Sequence, residues 1–320
     1  MNRTIEMEDL MVIDFHAHHW TEDWLPKIFW DGLAKRGATV RKRNGIETTP
    51  EEVREKFFQL FEDPTGNILI KEMDEAGIDV TVLMGLDLGL DMGEPRVSIQ
   101  EQNRELAKIC RRHPKRLIPF VGIDPRRKGG LKFFETAVKE WGMRGLKLDP
   151  ACGWYANDRK YYPLYEKAQE FRIPVLFHTG ATLPPFRNIY AQPIYLDDIT
   201  IDFPDLTIIA AHMGFGWWRE LASMIEKKTN LFTDFSGWQS SAMRNFPNFC
   251  RTLREMLDLV GPGALLFGTD GPAFRLYTYT NKVWVKALQE LPKNPPLGIT
   301  FTQEEVDMML GKNAQKILGL

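Results

Sequence analysis

Six histidines are spread over the 320 residues, and four of them recur, with one aspartate, in the same local setting. Each follows a short run of apolar residues. His16 and His18 close Ile13-Asp14-Phe15-His16-Ala17-His18, His178 closes Val175-Leu176-Phe177-His178, and His212 closes Ile209-Ala210-Ala211-His212. Asp270 ends Leu266-Phe267-Gly268-Thr269-Asp270, just before Gly271-Pro272. On an extended chain alternate side chains share a face, so His16 and His18 point the same way. Two imidazoles at that spacing can chelate one cation. Taken singly, each group is ordinary. A histidine after a buried strand can satisfy a loop carbonyl, and an aspartate before Gly-Pro suits an Asx turn. Five such groups on four strand ends, in a chain with few other histidines, point instead to one metal-binding centre.

These groups meet only if the strands that carry them converge. The chain returns repeatedly to short apolar runs: Met11–Phe15, Ile78–Met84, Leu117–Ile123, Gly145–Leu148, Ile173–Phe177, Leu206–Ala211, Leu231–Phe235 and Ala264–Phe267. Runs of this length are too short for helices and suit strands buried on both faces of a helix-covered parallel sheet. Amphipathic stretches lie between them, including Val97–Arg112, Leu131–Trp141, Tyr162–Phe171, Trp217–Lys228, Phe246–Val260 and Asn281–Leu291. Thr302 with Glu305 predicts a capping box for a last helix running to Ile317. The alternation predicts a closed barrel or an open doubly wound sheet. A chain of 320 residues matches one (β/α)8 barrel of ~250 residues plus insertions. No repeat or linker marks a second domain, so residues 1–320 read as one unit. The irregular zone from Trp20 to about Asn67 holds Trp24, Trp30, Arg41, Lys42 and Arg43. It follows the C-terminal end of the first strand, where a barrel carries its active site, and reads as a partial lid.

Composition narrows the function classes. Apolar residues make up 43% and charged residues 26%, and the formal net charge is -2. That balance gives no global field to attract nucleic acid or an anionic membrane. Cys110, Cys152 and Cys250 are odd in number and widely spaced, which fits neither a disulfide framework nor a cysteine zinc motif. The polar, acidic segment Met1–Asp9 lacks the pattern of a signal peptide, and no apolar run approaches the ~20 residues of a membrane span. A cytoplasmic location is expected. Without a Walker-type or Gly-x-Gly-x-x-Gly loop, nothing specific supports nucleotide binding.

Lys147, in Gly145-Leu146-Lys147-Leu148-Asp149-Pro150, has three readings. Carboxylated, it would bridge a second metal; as an ammonium, it would grip a substrate carboxylate; as a structural residue, it would pair with Asp149 or another barrel acid. The second is favoured here. Cys152 and Trp154 follow and either line the same bowl or pack an ordinary loop; Trp154 is carried forward as a substrate-binding candidate. His19 has the opposite parity to His16 and His18 and should point away from them. His113 ends a helix, where a cation is favourable.

The chain resembles the amidohydrolase superfamily, in particular the amidohydrolase 2 branch, which includes aminocarboxymuconate-semialdehyde decarboxylase and resorcylate-type decarboxylases. The resemblance runs from Ile13-Asp14-Phe15-His16-Ala17-His18 to Gly311-Lys312-Asn313-Ala314, through Arg116-Leu117-Ile118-Pro119, His212-Met213-Gly214 and Phe267-Gly268-Thr269-Asp270. It implies a distorted (β/α)8 barrel with one divalent ion, zinc by preference, on His16, His18, His178 and Asp270. It sets His212 beside that ion as the acid/base, and it implies a homodimer. Resorcylate-type members often replace the first histidine by glutamate and carry Tyr-Pro after the strand-8 aspartate. This chain keeps His16 and has Gly271-Pro272, which favours hydrolysis over decarboxylation.

The expectation is therefore a metal-dependent hydrolase of a small anionic, carboxylate-bearing substrate. The ion would acidify water and polarise the carbonyl, Asp270 would ligate and accept a proton, and His212 would serve as acid/base. Non-oxidative decarboxylation of an aromatic or unsaturated acid is the alternative, because it needs the same Lewis acid and proton carrier.

Overall fold

Every residue of the strand Ile13–His18 (β1) is buried, the mark of a strand enclosed on both faces. Seven more strands follow: Val80–Met84 (β2), Leu117–Gly122 (β3), Leu146–Leu148 (β4), Val175–Phe177 (β5), Ile208–Ala210 (β6), Leu231–Asp234 (β7) and Leu265–Leu266 (β8). They pair in sequence order, all parallel, in the computed structural model of the chain, which describes residues 10–43, 45–276 and 279–320. Residues 1–9, read above for targeting signals, lie outside that set. The barrel closes where Phe15 donates its backbone N–H to Phe267 (2.8 Å), Asp270 to His16 (2.7 Å) and His18 to Gly271 (2.6 Å). The expected (β/α)8 barrel is thus the fold.

Inside the barrel Phe15, Val82, Phe120, Leu176 and Ile209 pack together from β1, β2, β3, β5 and β6, and a larger cluster fills the space between barrel and helices. This layering keeps the strand ends rigid, since close-packed interiors resist displacement. The expected helices appear at Ile99–Arg112, Gly130–Trp141, Tyr162–Glu170, Trp218–Ile225, Phe246–Val260 and Asn281–Gln289. The Thr302 capping box is present with both of its hydrogen bonds. Its helix loosens into a π turn at Met308–Lys312, where Gly311 meets the segment leading into β1. A Cβ there would stand 1.7 Å from the carbonyl oxygen of Met11.

The zone after β1 forms two helices, Lys27–Arg43 and Pro50–Phe57, followed by a turn at Phe58–Phe61. Trp20, Phe29, Trp30, Phe58 and Phe61 make a continuous aromatic cluster that seats this insertion over the barrel mouth. Among the described residues no helix is long and apolar enough to cross a membrane. The three cysteines are free and buried.

Candidate metal centre

The strand ends bring His16, His18 and Asp270 together at the mouth of the barrel. His16 Nε2 lies 3.0 Å from His18 Nε2 and 3.8 Å from Asp270 Oδ1, and His18 Nε2 lies 3.5 Å from Asp270 Oδ1. Two donors each ~2.1 Å from one ion at the tetrahedral angle stand about 3.4 Å apart, so this spacing is that of atoms facing a common cation. A register shift in β1 between Asp14 and Ala17 accompanies this arrangement; bulges of this kind re-aim side chains near sites.

His178 and His212 form the adjoining wall. His212 Nε2 lies 3.2 Å from His178 Nδ1, while the buried Nε2 of His178 has no hydrogen-bond partner. His18 Nδ1 is likewise buried and unpartnered. Buried nitrogens without partners are costly, and a cation among these histidines would satisfy the His178 lone pair. The donor set therefore fits a divalent ion.

The backbone bends to present two of these side chains. His212 has φ 62° and Asp270 φ 52°, left-handed values that L residues rarely adopt and that cluster at functional sites. Phe215 stacks on His212 with ring centroids 5.0 Å apart and planes 7° from parallel. Gly180 and Gly237 make that stacking possible: a Cβ at either would stand 2.7 Å from Phe215, and both have positive φ.

Behind the cluster lies a network that strand-end histidines alone do not disclose. Asp234 Oδ2 lies 2.9 Å from His16 Nδ1, and Asp234 Oδ1 accepts from the backbone of His212 (3.1 Å) and Ser236 (2.9 Å) and from Ser236 Oγ (2.5 Å). A carboxylate on Nδ1 leaves the His16 Nε2 lone pair for an ion. His212 Nδ1 lies 3.0 Å from the carbonyl oxygen of Ser236 and 2.8 Å from its Oγ. A carbonyl only accepts, so Nδ1 carries the proton and Nε2 presents its lone pair. Asp14 holds the closing loop by accepting from the backbone N–H (2.9 Å) and hydroxyl (2.6 Å) of Thr269. Asp234 closes β7, so its strand-end position was visible in the sequence, although its residue type alone did not single it out.

Burial sets the electrostatics. It pushes His178 down to about 3 and His212 down to about 4, and it holds His16 well below the usual imidazole range. For Asp270 burial acts upward, but the His18 hydrogen bond and the nearby imidazoles outweigh it and leave the carboxyl well below its usual range. Asp14, enclosed with Asp234 nearby, is raised to about 7.

A cavity of ≈ 400 Å³ opens above the cluster, lined by His18, His178, His212, Asp270, Lys147, Asp149, Arg36 and an apolar wall that includes Trp20, Phe29, Leu86, Leu183, Phe186 and Phe215. Lys147 is thus at the site, whereas Trp154 is not on the cavity wall. Its ring packs edge-on against Tyr161, 5.1 Å between centroids, because the turn at Pro150–Cys152 carries the chain away from the bowl. The cations at Arg41–Arg43 also stay outside. Arg41 lies over Phe57 and Lys42 faces Glu47, so the insertion's cation on the cavity wall is Arg36. His19 turns from His18 and packs against Trp24 at 4.7 Å.

The Amidohydro_2 family model, described as amidohydrolase, matches residues 13–320. A curated 2-keto-4-carboxy-3-hexenedioate hydratase of Sphingobium sp. is 24% identical over an alignment of 253 residues, with 68% of this chain and 71% of the hydratase covered. Among solved structures, a 5-carboxyvanillate decarboxylase from Novosphingobium aromaticivorans, holding manganese and 4-hydroxy-3-methoxy-5-nitrobenzoic acid, is similar with a TM-score of 0.65. It shares 16% identity, with 98% of this chain and 97% of that chain covered. A 4-oxalomesaconate hydratase from Rhodopseudomonas palustris has a TM-score of 0.58 and 19% identity, covering 97% of this chain and 96% of its own. At these identities the solved structures speak to the fold.

Proposed function

The chain belongs to the amidohydrolase family, and from that premise we propose that it is a metal-dependent hydrolase of a small carboxylate-bearing substrate. In this reading His16, His18, His178 and Asp270 hold one divalent ion, and His212 moves the proton. The observation that carries it is the tautomer of His212. Its Nδ1 proton is committed to Ser236, so Nε2 carries the lone pair, 3.2 Å from His178 Nδ1 on the same wall of the site. Three imidazoles and a carboxylate suit zinc, and manganese in a similar fold makes it the second ion to test. A divalent ion held there supplies a Lewis acid that polarises a carbonyl and acidifies water.

The protein's own groups do the rest. His212 Nε2 accepts a proton from the attacking water and returns it to the leaving group, a contribution of roughly 10²–10⁴-fold. Phe215, stacked on the ring, and Trp238, whose Nε1–H donates to the His212 carbonyl oxygen (2.7 Å), keep the imidazole in that pose. Lys147 anchors the substrate carboxylate on the cavity floor, and the apolar wall keeps bulk water from the reacting bond.

Lyase chemistry is the second reading, favoured by the hydratase that is 24% identical and by the aromatic wall, which suits flat unsaturated acids. Turnover of lactones, amides, enoates and aromatic acids in H₂¹⁸O and in D₂O separates the two. Hydrolysis leaves ¹⁸O in a new carboxylate and no deuterium on carbon, which is the expected result. Deuterium on carbon, with CO₂ release for decarboxylation or a new ¹⁸O-alcohol for hydration, would overturn it.

A further inference from the structure

Lys147 and Asp149 stand two residues apart where β4 ends, and both line the cavity over the metal cluster. Lys147 is only 2% exposed. Its Nζ has no hydrogen-bond partner among the described residues, and neither has the buried Oδ1 of Asp149. Opposite charges withdrawn from water normally pair, because leaving either one alone is costly. Here the two share one face of one strand end, near enough to act on each other electrostatically, and yet make no direct hydrogen bond. A single ligand can satisfy both if it offers an anionic oxygen to Lys147 and a hydrogen-bond donor to Asp149.

We propose that Asp149 is a specificity-determining residue, which together with Lys147 selects a carboxylate bearing a hydroxyl or amino group and rejects one bearing a second carboxylate. The inference rests on the carboxylate-bearing substrate proposed above, and it adds the donor that substrate must carry. A ligand without the donor leaves Asp149 Oδ1 unsatisfied, and a second carboxylate meets it as a like charge. Sites built to hydrogen-bond a hydroxyl discriminate strongly against analogues that lack it. Trp20, Leu86 and Phe215 in the same wall make a flat ring a suitable probe.

Equilibrium binding to the metal-loaded protein tests this apart from turnover. The probes are benzoate, the three hydroxybenzoates and the three benzenedicarboxylates. Wild type is expected to bind at least one hydroxybenzoate 10-fold or more tighter than benzoate, and the matching dicarboxylate more weakly than benzoate. Lys147→Met should weaken every probe about 10-fold or more. Asp149→Ala should bring the hydroxybenzoate and benzoate affinities within about twofold, and the milder Asp149→Asn should lose the rejection of the dicarboxylate. The proposal is overturned if wild type binds none of the probes, binds them alike, or keeps its ratios in Asp149→Ala. It is also overturned if each single variant lowers Tm, the double variant restores it, and the ratios never move, since the pair would then only neutralise itself. Intact ratios in a protein that hydrolyses nothing would instead sink the hydrolase reading alone.

Discussion

His16 Nδ1 stands 2.9 Å from Asp234 Oδ2, across 218 residues of chain, and that bond joins the first strand to the seventh beneath the candidate metal site. The carboxylate fixes the proton on Nδ1 and so turns a lone pair on Nε2 toward His18 and Asp270. Asp234→Asn places an amide where the carboxylate accepts, which breaks the His16 bond or reverses its tautomer. Metal affinity is expected to fall 10–100-fold. Chelator competition with zinc and with manganese measures it, and an unchanged affinity would show that His16 is oriented by packing alone.

Ligand and base are separable by mutation. His178 has an unpartnered Nε2, whereas His212 spends Nδ1 on Ser236. His178→Ala is therefore expected to lose most of its metal, and His212→Ala to retain about one equivalent while turnover drops ~10²-fold or more. Elemental analysis beside a rate measurement decides the matter. Metal-free His212→Ala would make that histidine a ligand.

Much of this site was legible because barrel physics concentrates it. Eight apolar runs announce strands enclosed on both faces, and polar residues beyond such strands have one place to converge. The ladders at β5 and β6 are shorter than the runs Ile173–Phe177 and Leu206–Ala211, because Leu206 and Ala211 are buried and Ile173 packs half-buried against the core outside the paired segments. Where the reading went astray, local chemistry decided. Arg41–Arg43 close the helix Lys27–Arg43, where cations complement the helix end, and so they stay off the cavity wall. Trp154 follows a proline turn, beyond which strand parity no longer tells direction. Asp234 and Ser236 have parity and position in their favour, but an aspartate and a serine alone are too common to stand out.

Acid should loosen the metal-free fold. Burial holds His178 at about 3 and His212 and His19 at about 4, against an ordinary 6.5, and it also holds His16 well below that ordinary value. Unfolding lets these rings take up protons, so their contribution is whole above pH ~6.5 and is lost as pH falls toward 4. Asp14, raised to about 7 by burial, works in the opposite sense, being stabilising below its ordinary 3.8 and losing that effect as pH rises through 7. Asp149 and Asp124, also raised by burial, act in the same sense as Asp14, and the four imidazoles outnumber these three carboxyls, so a net fall in acid is expected. Urea midpoints with chelator present should be lower at pH 5 than at pH 7, and His19→Gln should shrink the difference by at most ~1.4 kcal/mol per pH unit. Equal midpoints would mean the imidazoles are already solvated.

Trp20 offers an optical report of the ion. Its ring stacks on His18, 5.7 Å between centroids and 17° from parallel, and it is buried against Phe29 and Phe61 of the insertion. A paramagnetic ion beside His18 therefore sits within a few ångströms of the indole, and quenching of that kind acts over short range. The chain has nine tryptophans, so loss of one emitter should appear as a saturable decrease of roughly one ninth of the total emission, scaled by its own yield. Titrating chelator-treated protein with Mn²⁺ should give that decrease with an endpoint near one equivalent, and Zn²⁺ should compete it away. Trp20→Phe keeps an aromatic ring against Phe29 and Phe61 and should bind the ion without the signal. Quenching that persists in Trp20→Phe, or that never saturates, would place the ion somewhere other than beside His18.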